Sequence, residues 1–175
     1  MLIKISNKWL KKKFYCSEDM IRNTCKGRCC KTSKGTTLIC ILPEEERNLK
    51  DKYPLCEFEN NKIKNKTELC FFKDEFGFCK LHFTKDYPLG CNFSPFKINS
   101  NKTLIIRHRY IHFPCFKHPK GDYAYITFKE SLIRAFGIET YNFIKNKLET
   151  SEEDFYIEIK DEIYNKLNYL EEGKK

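Results

Sequence analysis

Apolar positions along this chain come in short bursts separated by charged stretches. Near the start Ile3, Ile5, Trp9 and Leu10 alternate with lysines, predicting a strand or short helix over residues 1–15 that docks Trp9 on the core. Lys11, Lys12 and Lys13 read as a solvated face. A helical turn is expected at 17–22. Residues 36–41 are β-branched and apolar, the signature of a strand. Pro43 followed by Glu44, Glu45 and Glu46 marks a helix start over 43–50, with the acids compensating the helix dipole rather than forming a catalytic pair. Residues 55–83 read as one or two hairpins, turning at Asn60-Asn61 and at 73–77, and 86–91 as an irregular loop. Strands are expected at 104–111 and 123–128, with a turn at 118–121. Beyond these, 129–136 and 140–148 predict short helices around Gly137. Ser151 to Asp154 resembles a capping box, and Phe155, Ile159, Ile163, Leu167 and Leu170 recur behind it at helical spacing, with Gly173 as C-cap. That helix reads as a structural brace.

The pattern predicts one α+β domain over residues 1–175. Its expected centre is a small, irregular, metal-stapled β core at 16–118, with a helical C-terminal part at 129–172. Fifteen Phe and ten Tyr supply enough apolar material for a core, which excludes global disorder. The opening residues carry no apolar run of signal-peptide length, and no later stretch approaches a membrane span. The expected location is the cytoplasm, with no membrane partner. Ten cysteines in a reducing compartment then read as metal ligands rather than as a disulfide scaffold.

Cys25-Lys26-Gly27-Arg28-Cys29-Cys30 puts three thiols in six residues. Thiolates select zinc, copper(I) or iron–sulfur clusters. Adjacent side chains on an extended backbone point to opposite faces, so Cys29 and Cys30 either serve two centres or sit on a tight turn that Gly27 permits. If 70–79 forms a hairpin, Cys70 and Cys79 come within cross-strand reach. Six of the ten cysteines have an aromatic residue within two positions, which suggests a dry pocket around a redox cluster. Spacing alone leaves zinc and iron–sulfur open. The net charge of +9 counts the thiols as neutral. Two four-thiolate centres of about −2 each would take it to about +5, so charge alone is no argument for nucleic acid.

Several motifs in order carry a resemblance. Cys29-Cys30, Leu42-Pro43-Glu44-Glu45, Cys70-Phe71-Phe72, Phe78-Cys79-Lys80-Leu81 and Pro88-Leu89-Gly90-Cys91-Asn92-Phe93-Ser94-Pro95-Phe96 resemble the YkgJ-like cysteine-cluster family, described as a zinc- or iron-chelating domain. The match covers about residues 16–118. It implies ligands at Cys25, Cys29, Cys30, Cys70, Cys79, Cys91 and Cys115, with Cys16 standing for the first cysteine of the family's opening run. The Cys-x3-Cys-Cys opening is similar to the cysteine-rich region of flagellin lysine N-methylases, which carry an iron–sulfur cluster. Tyr87, Asn92 and Ser94 depart from the family pattern, where arginines stand at the first two positions and Phe at the third. The resemblance implies that Arg107 or Arg109 takes over any role those arginines have. Cys40 and Cys56 fall outside the pattern and read as core thiols.

His108, His112 and His118 surround Cys115. On a strand, His108 and His112 would sit about 13 Å apart, too far for one site. The reading is a metal-binding cysteine-cluster protein holding an iron–sulfur cluster, expected as [4Fe–4S], with zinc as the other metal. An iron–sulfur oxidoreductase or a lysine-methylase-like role is open, with a protein as partner or substrate. The alternative is a zinc-stabilised nucleic-acid-binding module with Arg107-His108-Arg109-Tyr110 as its footprint.

Overall fold

The computed structural model describes residues 1–30, 36–37, 39–65, 68–82 and 84–172. In chain order it forms β1 (Leu2–Ile5), α1 (Asn7–Leu10), β2 (Lys13–Phe14), a π-helical turn (Met20–Cys25), a 3-10 turn (Arg28–Cys30) and α2 (Pro43–Lys52). There follow β3 (Phe58–Glu59), β4 (Lys62–Ile63), α3 (Leu89–Phe93), β5 (Phe96–Ile98), β6 (Thr103–Ile106) and a second 3-10 turn (His108–His112). The chain ends with β7 (Asp122–Tyr123), α4 (Ala124–Thr127), α5 (Lys129–Phe136), α6 (Ile138–Thr150), β8 (Phe155–Glu158) and α7 (Asp161–Glu172). The fold class is α+β.

The chain divides into two compact units, Met1–Ser17 with Asn92–Leu167, and Glu18–Cys91 with Asn168–Lys175. The first unit is built on a sheet of order β5-β6-β1-β8. β1 runs parallel to β6, with Lys4 opposite Thr103, and antiparallel to β8, with Ile3 opposite Ile157. Ile3, Ile5, Leu104, Ile106 and Ile157 are buried, as are Leu132, Ile144 and Leu148 of α5 and α6. Phe14 packs edge-on against Phe116 and Phe128, with ring centroids 5.3 and 5.1 Å away.

The expected helix behind Ser151 does not start there, because Phe155–Glu158 is a strand. Phe155, Ile157 and Ile159 alternate with Tyr156 and Glu158, and pairing with β1 buries Ile157 and Ile159. Asp154 accepts the Asn7 N–H at 2.9 Å instead of capping a helix, and Ser151 lies just past the end of α6. The helix forms from Asp161, and its proposed C-cap, Gly173, lies outside the described residues. The expected strand at 104–111 stops at Ile106 and coils into the 3-10 turn. That expected at 123–128 is only β7, followed by α4.

The second unit has a core of Ile41, Leu49, Cys56, Ile63, Phe72 and Leu81. β3 and β4 form the hairpin expected at Asn60-Asn61, both residues having the positive φ (51° and 57°) that this turn demands. Thr36 bridges Lys64, but the described part of 36–41 forms no ladder, and Leu38 lies outside the described residues. The Thr37 hydroxyl replaces ladder bonds, accepting the Ile63 N–H and donating to Ile39 O, each at 3.1 Å.

Candidate metal centre

The cysteine site is built on two loops of the second unit. In the first, the π-helical turn ends at the buried Cys25, and Lys26 and Gly27 both take positive φ (50° and 59°). Cys30 N–H then donates to Gly27 O at 2.9 Å, closing the 3-10 turn. Of the two alternatives for Cys29 and Cys30, the chain adopts the tight turn, and their sulfurs lie 3.9 Å apart.

The second loop carries Cys70 and Cys79. The buried Asn65 accepts the Phe71 N–H at 2.7 Å, fixing the entry to Cys70. Asp74 accepts the N–H groups of Phe76 and Phe78 at 3.0 and 2.8 Å, shaping the turn at 73–77. The expected hairpin reduces to one bridge, Lys73 opposite Cys79. A tight turn from Cys70 O to Lys73 N–H shifts the register, so Cys70 does not stand opposite Cys79.

The two loops meet closely. A Cβ on Gly27 would lie 2.3 Å from Gly77 O, and one on Gly77 would lie 2.8 Å from the Lys26 carbonyl carbon. The Lys73 ammonium donates to Lys26 O and to Gly27 O. Arg22 lies over the rings of Phe76 and Phe78, 5.0 Å from each. The third contributor, Cys91, sits on α3. Glu45 positions that helix, since its carboxylate accepts the Leu42 N–H at 2.9 Å and the Leu89 N–H at 2.7 Å. One acid thus closes the first turn of α2 and holds the start of α3. Gly90 packs on Cys40 O, where a Cβ would approach to 2.5 Å.

Tyr87 is partly buried against the core of this unit. Burial raises its hydroxyl pKa well above the ordinary value, and negative charge on Cys91, Cys30, Cys79 and Cys29 raises it further. Cys79 is linked in turn to Cys29, and Cys70 to Cys79 and Cys56. Burial pushes the Cys70 thiol up to about 11 and raises Cys79 as well. Backbone N–H groups oppose this, that of Phe72 at the Cys70 sulfur and those of Leu81 and His82 at the Cys79 sulfur. Such N–H···S bonds favour the thiolate, the form that binds metal.

Of the eight expected ligands, Cys29 and Cys30 are adjacent on the first loop and Cys70 and Cys79 lie on the loop packed against it, with Cys29 exposed and Cys30, Cys70, Cys79 and Cys91 partly buried. Cys25 is buried four residues before Cys29. Cys16 and Cys115 belong to the first unit, where the Tyr15 N–H donates to Cys115 O at 2.9 Å. Cys40 and Cys56 are buried, Cys56 inside the apolar core with its thiol pushed up to about 11 by burial. The 3-10 turn brings the His108 and His112 rings to 5.4 Å, which corrects the wide separation expected of a strand. Among the described residues, no three or more His, Cys, Asp or Glu form a ready-made metal site. The donor chemistry nonetheless suits a thiophilic metal, with soft sulfurs, N–H groups at Cys70 and Cys79 and partial burial of Cys30, Cys70, Cys79 and Cys91, while Cys29 is exposed.

Sequence reasoning missed Tyr87, Glu45 and Asn65. Tyr87 carried a signal, standing before Pro88 where the resembled pattern has arginine. Comparison with family models, curated proteins and solved structures finds no match to this chain. Among the described residues no helix is long and apolar enough to cross a membrane.

Proposed function

We propose that the second unit is a thiolate metal centre holding an iron–sulfur cluster through Cys29, Cys30, Cys79 and Cys91, with Cys70 beside them. The observation that carries this reading is the close contact of the loop bearing Cys29 and Cys30, whose sulfurs lie 3.9 Å apart, with the loop bearing Cys70 and Cys79, Gly27 packing on Gly77 O and Lys73 reaching Lys26 O and Gly27 O. The setting of Cys70, Cys79 and Tyr87 against the apolar core that holds Phe72 and Leu81 supports a cluster over a lone ion, since a dry surround tunes a redox centre. A bound cluster would supply one-electron chemistry. The chain's own contribution is to bury the Cys70 and Cys79 sulfurs partly and to aim backbone N–H groups at them; burial favours their thiol form, so metal binding releases those protons. This agrees with the cysteine-cluster family that the motif order resembles. Such a centre suits the cytoplasm, where thiols persist.

Anaerobic purification followed by iron, acid-labile sulfide and zinc analysis tests the proposal. Iron and sulfide are expected in the wild type and in Cys40→Ser, and both are lost in Cys79→Ser. Zinc alone would replace the cluster by an ion at the same thiolates. No metal, or equal loss from Cys40→Ser and Cys79→Ser, would overturn the reading.

A further inference from the structure

The basic excess does not sit with the thiols. The first unit carries 17 Lys and Arg against 10 Asp and Glu, whereas the cysteine-rich second unit carries 16 against 14. Charge compensation of a metal centre therefore leaves most of the +9 unexplained. Within the first unit the excess is concentrated. Residues 1–17 and 97–121 together hold 11 Lys and Arg and three His, with no acid. The fold joins these stretches. Lys4 N–H donates to Lys102 O and Lys117 N–H to Lys13 O, each at 2.8 Å, and Phe14 bridges Phe116. Lys4 and Lys11 are neutralised by Asp154 and Glu152. Among the described residues Lys8, Lys12, Lys13, Lys117 and Lys120 form no ion pair.

Aromatic rings lie among these lysines in an orderly way. β2 is flanked on one side by β7, with Lys13 opposite Tyr123, and on the other by Phe116. Phe14 points inward and is buried, so alternation turns Lys13 and Tyr15 to the opposite face. There the Tyr15 ring stacks on His118 at 4.8 Å with 17° between planes. Tyr123 is exposed and stacks on Tyr125 at 5.8 Å. The 118–121 turn is held tightly against β2, since a Cβ on Gly121 would lie 2.6 Å from the Phe14 carbonyl carbon. Asp122 is the acid at the edge of this platform.

Flat rings between unpaired lysines match bases between phosphates. A duplex hides its base faces, and an acidic peptide or anionic lipid has no use for a stacking platform. We infer that the face formed by Lys13, Tyr15, His118 and Tyr123, with the exposed Lys117 at its edge over the Phe116 ring, binds single-stranded nucleic acid. The lysines neutralise phosphates and the rings stack on bases, a mode that tolerates any sequence.

Fluorescence anisotropy of a labelled 12-nucleotide RNA or DNA with the anaerobically purified full chain tests this. Single strands should bind more tightly than a duplex of equal length, and affinity should fall steeply with salt. Tyr15→Ala should weaken binding about tenfold to a hundredfold. Tyr15→Phe should restore it, because stacking needs the ring and not the hydroxyl. Lys13→Gln with Lys117→Gln should flatten the logarithmic salt dependence by about 1.4, or 0.7 per phosphate contact. Metal content should be unchanged in each variant, which separates this inference from the metal reading. Equal binding of duplex and single strand, wild-type affinity in Tyr15→Ala, or tighter binding of polyglutamate or anionic vesicles would overturn it.

Discussion

Gly27→Ala probes how the two loops of the cysteine site are held together. At φ +59° an alanine is strained by about 1–2 kcal/mol. Its Cβ would also stand 2.3 Å from Gly77 O, a backbone atom that cannot rotate away. Forcing a backbone shift in a packed site costs about 1–3 kcal/mol more. The total of about 2–5 kcal/mol should lower the melting temperature of the second unit by about 10–30 °C. Because the shift separates Cys29 and Cys30 from Cys79, bound metal should fall with it. Gly77→Ala strikes the same contact from the other side, so the double substitution should cost clearly less than the sum. Gly137→Ala is the control. At φ +87° with nothing within 4 Å of an added Cβ, it costs backbone strain alone and lies in the other unit. Its metal content should equal wild type. Thermal circular dichroism and metal per chain are the assays. A Gly27→Ala protein with full metal and a melting point within about 2 °C of wild type would refute the reasoning.

Further outcomes follow from particular contacts. Glu45→Ala removes the acceptor for the Leu42 and Leu89 N–H groups, and urea titration should register a loss of about 2–4 kcal/mol together with weaker metal binding. A loss under about 0.5 kcal/mol would show that water replaces the carboxylate. Ile3→Ala opens a fully buried position opposite Ile157 and should cost about 2–4 kcal/mol while metal content stays constant. The hydrogen bond from Lys4, helped by the Asn7 N–H, holds the Asp154 pKa below its ordinary 3.8. The unfolded chain therefore takes up this proton at higher pH than the folded one. The stabilisation is complete above the unfolded value and is lost as pH falls through the folded one. Melting curves from pH 6 to 2 should be flatter in Asp154→Asn; identical slopes would refute the assignment.

Local chemistry made some elements legible in the sequence. Pro43 and the acids behind it mark α2, Gly137 separates α5 from α6, and Asn60-Asn61 forces the β3–β4 turn. Residues 155–170 satisfy two periods at once. Phe155, Ile159 and Ile163 fit a helix, while Phe155, Ile157 and Ile159 fit a strand. The free edge of β1 decided between them, and no local signal reports a free edge. At the cysteine site, thiol spacing drew attention to Cys25, Cys29 and Cys30 and to Cys70 and Cys79, while Cys91 entered only through the family resemblance. Tyr87 packed on the core and Glu45 bridging two helices depend on tertiary packing, which spacing does not encode. The total charge was plain, but its concentration on residues 1–17 and 97–121 gained meaning only when β1 and β2 joined those stretches.

X-ray absorption at the metal edge of the anaerobically purified protein tests the central claim most directly, because it reads the donor atoms themselves. The account predicts a first shell made of sulfur, with a metal–metal vector from a cluster, and no bound metal in Cys79→Ser. A first shell of nitrogen and oxygen in the wild type, or a sulfur shell unchanged in Cys79→Ser, would contradict it.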